Sequence, residues 1–188
     1  MATENRKARD LQLLDAIDAF PRDPFEGRTW RVAPAGRDPT LGGPSQSRWC
    51  NGAFDVLYTS LERDGAISEV HALLSLQPVF PSKPAWFCFE LAVRSTKTLR
   101  LADLSTLQTL GVEAADYPRR NYERTQSIAD AAFFLGFDGV VTPSARWPGA
   151  NLILFTSRLE PASIELKSDS GEAIDWKTWK RRASATES

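Results

Sequence analysis

Residues 54–74 read FDVLYTSLERDGAISEVHALL and change periodicity within one short stretch. Phe54 to Tyr58 has the apolar and aromatic character of a strand. Ser60 then stands where a helix N-cap belongs, before a helix running to about Leu74. On that helix Ala66, Ile67, Val70, Leu73 and Leu74 share one face, and Glu69 lies beside it, one turn from Ala66 and from Leu73. A carboxylate so placed can sit at a pocket wall instead of on the open surface, and it must either reach solvent or find a partner.

Working outward, strands and helices stay interspersed. Leu11, Leu13, Leu14, Ile17 and Phe20 mark an amphipathic helix over residues 8–20, stopped by Pro21 and Pro24. Thr29 to Val32 reads as a short strand, and Ala33 to Ser47, rich in Gly, Pro, Ser and Asp, as a long loop of the kind that usually has a function. Downstream, Ala85 to Arg94 alternates as a strand that can be covered on both faces, and Leu99 to Leu101 reads as a second short one. Asp103 caps a helix through Leu110, and a further helix from about Tyr122 closes at Gly136. Gly139 to Val141 leads into a turn at Pro143-Ser144-Ala145-Arg146, and Asn151 to Phe155 is a strongly apolar strand. The class is α+β: one compact domain with a mixed sheet and flanking helices.

Bulk properties remove several function classes. The 188 residues, 42% of them apolar, with six Trp and ten Phe, suit one domain with a sizeable core. A net charge of −1 offers no global field for a nucleic-acid backbone or an anionic membrane. Cys50 and Cys88 form neither a disulfide framework nor a zinc motif. No signal peptide is visible at the N-terminus and no apolar run reaches the roughly 20 residues of a membrane span. The expectation is a cytoplasmic protein that binds neither nucleic acid nor membrane.

His71 is the only histidine, and beside apolar helix positions it reads as structural. The Gly42-Gly43 pair lacks the remaining glycines of a dinucleotide fingerprint and the Lys-Ser or Lys-Thr of a phosphate loop. What remains is a series of polar residues at element junctions. The Arg48 guanidinium fork suits a pyrophosphate, though spacing alone favours a surface arginine paired with a nearby acid. The Tyr58 ring suits a flat heterocycle, or an ordinary core or rim position. Glu69 can hydrogen-bond a ribose hydroxyl and stabilise an oxocarbenium-like centre, or can be a solvated helix-edge glutamate. Ser144 can donate to a phosphate or amide, or bond its own backbone.

Taken together these segments resemble the RES domain, named for characteristic Arg, Glu and Ser residues. The resemblance runs from Trp30-Arg31-Val32 through Arg48-Trp49-Cys50-Asn51-Gly52, Val56-Leu57-Tyr58-Thr59-Ser60 and Ala66-Ile67-Ser68-Glu69 to Pro143-Ser144-Ala145-Arg146 and Asn151-Leu152-Ile153-Leu154-Phe155. One departure is Ser47, where many members carry Gly directly before the Arg.

The resemblance implies a core similar to ADP-ribosyltransferases and a toxin of a bacterial toxin–antitoxin pair that consumes NAD+ without a metal or a covalent enzyme nucleophile. By it, Arg48 grips the NAD+ phosphates with Arg31 as a second contact, Tyr58 stacks near the nicotinamide, Glu69 orients the nicotinamide ribose and Ser144 lines the pocket. The implied partner is an Xre-like DNA-binding antitoxin. The ADP-ribose acceptor stays open among water, phosphate and a protein side chain, for which a host metabolic enzyme is a candidate. The rival is a non-catalytic interaction module with a vestigial pocket, against which all four principal positions carry suitable side chains. The expected organisation is a helical segment over 1–26, the RES domain over 27–160 and an extension over 161–188. Of that extension the last residues are expected to be disordered, and the Trp-containing basic stretch around Trp176 and Trp179 to pack on the core.

Overall fold

The computed structural model of the chain describes residues 9–81, 83–101 and 103–186. The first helix, α1 (Leu11–Asp18), is shorter than the 8–20 pattern because the Asp10 carboxylate accepts the Leu13 N–H at 3.2 Å and sets the start. Strand β1 (Asp23–Pro34) is much longer than the segment read from the sequence. It pairs antiparallel with β5 (Trp86–Arg100) from Asp23 opposite Thr98 to Pro34 opposite Trp86. The two strands expected over 85–94 and 99–101 are therefore one. The polar run between them bulges without breaking, since the buried Asp138 carboxylate accepts the N–H groups of Thr96 and Lys97 at 2.7 and 2.9 Å.

The long segment after β1 is loop over 35–45 and then a small hairpin, β2 (Gln46–Ser47) with β3 (Cys50–Asn51). Strand β4 (Val56–Ser60) follows and hands over to α2 (Arg63–Leu74). Ser60 is not the cap. It ends the strand, paired with Trp30 and Asn151, and Glu62 occupies the N-cap position. Ser60 Oγ instead accepts the Glu62 N–H at 3.3 Å, bracing the turn. The buried residues of α2 are Gly65, Ala66, Ile67 and Leu74, while Leu73, expected on the apolar face, is 56% exposed.

Beyond β5, α3 (Leu104–Thr109), a 3-10 turn at Ala114–Asp116 and α4 (Glu123–Phe134) cross over to β6 (Gly139–Pro143), which pairs parallel with the end of β5. The Asp103 carboxylate caps α3 through the Thr106 N–H at 2.8 Å, and Gly136 follows α4 with a φ of 84°, a conformation open to glycine. A short turn joins β6 to β7 (Ala150–Phe155). The sheet order is β1-β4-β7-β6-β5-β8, and because β1 also pairs with β5 the first five of these strands close into a ring. The α+β class, with a mixed sheet and flanking helices, is as read from the sequence.

The segment after Pro161, expected as an extension, supplies β8 (Ile164–Asp169), antiparallel to β5, and α5 (Trp176–Thr186). Expected disorder at the last residues concerns 187 and 188, outside the described set. Three apolar groups form the core. One lies between the sheet and helices α1, α3 and α4, around Ile17, Trp49, Leu107, Ile128 and Phe155. A second, around Leu57, Leu91, Val141, Leu152 and Leu154, fills another part of the ring. In the third, Trp179 of α5 packs with Ala66 and Ile67 of α2, Val32 of β1 and Cys88 of β5. Among the described residues no helix is long and apolar enough to cross a membrane.

Trp179 is 7% exposed, so α5 is part of what supports α2. Trp179→Ala is expected to lower the unfolding free energy in urea by about 3 kcal/mol, as truncation of a buried Trp commonly does. An unchanged midpoint would mean that α5 merely rests on the surface.

Candidate active site

Helix α2 reaches the sheet closely because of Gly65: a Cβ there would collide with Ser60 Oγ and sit 3.2 Å from the Trp147 ring. That approach brings Glu69, one turn further on, over the ends of β6 and β7. Ser144 Oγ donates to Glu69 Oε1 at 2.6 Å, and Asn151 Nδ2 donates to the same oxygen at 2.8 Å. Ser144 Oγ also accepts the N–H groups of Arg146 and Trp147, each at 3.1 Å. Those two amides fill its acceptor side and direct its hydrogen to the carboxylate.

Glu69 opens on a cavity of about 420 Å3, within the range of small-molecule sites. Arg31, Arg48, Tyr58 and Asn151 are also among its lining residues; Ser144 stands behind Glu69 and reaches the cavity through it. The four principal residues read from the sequence therefore meet at one place, with Arg31 on the same wall.

Arg48 sits in the turn between β2 and β3. Its guanidinium lies between two phenol rings, 4.6 Å from the centroid of Tyr117 and 4.8 Å from that of Tyr122. Nη2 donates to the Arg119 carbonyl at 3.2 Å, while Nη1 is buried with no hydrogen-bond partner among the described residues. Burial lowers the Arg48 pKa, opposed by the two tyrosines and by Glu69. Arg48 lines the cavity, and a partly desolvated guanidinium there is suited to an anion.

Tyr58 holds that turn in place. Its hydroxyl accepts the Trp49 N–H at 2.8 Å and lies 2.6 Å from Ser47 Oγ, which is itself 2.6 Å from Ser45 Oγ. Burial pushes the phenol far above its ordinary pKa, so it stays protonated. The ring lines the cavity while the polar end is committed to the residues on either side of Arg48. Arg31 is similarly committed in part: Nη1 donates to the carbonyls of Pro39 and Leu41 at 3.1 and 2.8 Å, pinning the 35–45 loop. Burial lowers its pKa to about 10, still cationic at neutral pH.

Several lining residues escape sequence reading. Arg37, Arg120 and Arg146 join Arg31 and Arg48 around a cavity whose one carboxylate among the described residues is Glu69. They come from three separate loops, and nothing local marks them. Tyr117 donates to the Pro143 carbonyl at 2.7 Å, with its pKa pushed up to about 12 by burial, and so ties the aromatic clamp of Arg48 to the strand that leads to Ser144. Asn151 reads in sequence only as the first residue of an apolar strand. Its one signal is being an amide where Leu, Ile or Phe follow.

His71 packs its ring 5.7 Å from Phe80 and 6.0 Å from Trp176, a structural contact between α2 and α5. Among the described residues no group of three or more His, Cys, Asp or Glu is placed to hold a metal ion.

Residues 28–177 match the RES domain family model. The chain belongs to the RES domain family. The matched stretch takes in β8 and the ring of strands from Arg28 of β1 onward. Curated relatives include the NAD(+) phosphorylase MbcT of Mycobacterium bovis and that of Mycobacterium tuberculosis. Each is 24% identical over 167 residues, covering 85% of this chain and 90% of the relative. Among solved structures, the M. tuberculosis MbcT–MbcA toxin–antitoxin complex contains a chain that aligns with a TM-score of 0.80 at 22% identity. The alignment covers 93% of the present chain and 98% of that one, so the two share a fold.

The geometry around Arg48 makes Tyr58 a structural as well as a lining residue of this RES domain. Tyr58→Phe removes the acceptor of the Trp49 N–H and is expected to cost about 1–2 kcal/mol in urea unfolding, with faster hydrogen exchange at that amide. Unchanged exchange would show that the hydroxyl does not hold the turn.

Proposed function

We propose that this chain is the toxin of a bacterial toxin–antitoxin pair and breaks the bond between nicotinamide and ribose in NAD+, passing ADP-ribose to inorganic phosphate. The observation that carries the reading is the Glu69 carboxylate, held by one oxygen on the wall of a cavity ringed by five arginines. In this reading the pyrophosphate of NAD+ meets the guanidinium of Arg48, with Arg31 as a further contact, and the face of Tyr58 lies near the nicotinamide. The free oxygen of Glu69 accepts a hydrogen bond from a hydroxyl of the nicotinamide ribose.

As the glycosidic bond breaks, its electron pair leaves on nicotinamide, which departs neutral, and positive charge develops on the ribose. Glu69 stabilises that charge by an electrostatic contact fixed before the reaction begins. An oxygen of phosphate then bonds to the ribose carbon and yields ADP-ribose 1″-phosphate. Phosphate is favoured over water and over a protein side chain, such as one of a host metabolic enzyme, on two grounds. The curated relatives are named as NAD(+) phosphorylases, and the arginines outnumber the charges of one pyrophosphate. Because the fold neighbour comes from a toxin–antitoxin complex, a protein antitoxin is the proposed partner. An Xre-like DNA-binding protein is the form that partner takes in this reading, and the cytoplasm is where both act.

Purified chain, freed of any partner, is expected to consume NAD+ faster when phosphate is added, with the ADP-ribose phosphate mass appearing in step. Free ADP-ribose or a modified lysate protein would move the acceptor to water or to protein. Glu69→Gln keeps the size and removes the charge, and is expected to slow turnover about 100-fold or more. NAD+ left intact with phosphate and with lysate would favour the rival, an interaction module with a vestigial pocket.

A further inference from the structure

Strand β7 alternates so that Asn151, Ile153 and Phe155 point to one face. Ile153 and Phe155 lie in the main core, fully buried, and Asn151, 9% exposed, stands where that apolar row meets Glu69. A third aliphatic side chain would continue the pattern. The amide in its place leaves Oδ1 buried without a hydrogen-bond partner among the described residues, a condition that disfavours the folded state. Turning the amide over is no remedy, since it would set the amide oxygen against a carboxylate that can only accept. Asn151 therefore keeps its NH2 on Glu69 at the expense of its own oxygen.

What that arrangement achieves is geometric. A single bond from Ser144 would leave the Glu69 carboxylate free to swing about it. Two donors on one oxygen, from the turn after β6 and from the start of β7, fix the plane of the group. No described residue donates to Oε2, which is left as the oxygen available to a ligand. Positions 142 and 151 are cross-strand partners, so the hairpin that carries both donors is itself held in register. The field of Glu69 reaches Arg48 and Tyr117, and Arg31, Arg37, Arg120 and Arg146 line the same cavity.

We infer that Asn151 is a positioning residue for the NAD+-cleaving reaction: it locks one oxygen of Glu69 so that the other meets the ribose in a single orientation. The kinetic part of this inference rests on the function proposed above; the contact itself does not.

Two variants and two readouts test it. Asn151→Ala removes the donor and is expected to lower kcat about 10- to 100-fold, as loss of an orienting partner commonly does, with KM within about threefold. Asn151→Asp, similar in size, sets a second carboxylate against the first. In it the acid limb of the pH–rate profile, and the Glu69 carboxyl titration followed by 13C NMR in the ligand-free protein, are expected to move up by about one pH unit or more. Thermal midpoints of both variants show whether any loss of rate is only loss of fold. An Asn151→Ala enzyme with kcat within about twofold of the parent, or with its whole defect in KM, would overturn the inference. So would a Glu69 titration unmoved in folded Asn151→Asp. If the unaltered chain leaves NAD+ untouched, the proposed function fails while the titration still decides whether Asn151 governs Glu69.

Discussion

Two hydrogen bonds to one oxygen of Glu69 tie α2 to the β6–β7 hairpin, and much of the site depends on them. A carboxylate beside an apolar helix face is unstable without donors. Here the donors are 75 and 82 residues away in sequence. They arrive because the ring of strands sets β7 beside β4, the strand that leads into α2. Gly65 lets the helix come close enough, and Trp179 of α5 packs behind it. The fold therefore presents a negative group to a cavity without leaving it free to move, which is the condition for stabilising charge as it develops.

The same economy governs the positive side of the cavity. The chain as a whole carries a net charge of −1, yet five arginines converge on one opening. Composition averages over the surface, whereas a cleft concentrates what faces it. Tyr58 and Arg31 commit polar atoms to the turn and the loop that border the site, and Tyr117 and Tyr122 sandwich Arg48. A guanidinium held in this way has little freedom left to lose to an anion, which is how preorganised sites limit the cost of binding.

Legibility in the sequence followed the range of the interaction. Helix α3 and its Asp103 cap were readable because the cap lies three residues from its donor. Glu69 was readable because a helical period places it beside an apolar stripe. The cap of α2 was misread at Ser60, since pairing with Trp30 and Asn151 keeps that residue in the strand. The unity of β5 was hidden by a polar run whose N–H groups are taken by Asp138, some forty residues away. Arg37, Arg120 and Arg146 had no local signal, and Asn151 only its amide at the head of an apolar strand, because what distinguishes each is a neighbour remote in the chain.

By itself the sequence determined the α+β class, the positions of most helices, the family resemblance and the cluster of Arg48, Tyr58, Glu69 and Ser144 as residues to watch. Each of these rests on periodicity, composition or motif order, which are properties of neighbours along the chain. Only the tertiary structure decided which oxygen of Glu69 is held, that Tyr58 braces the Arg48 turn, that Arg31 pins a loop and that β8 joins the sheet. Those depend on the closing of a ring of strands by long-range pairing, and local sequence carries no record of the distances that closure brings about.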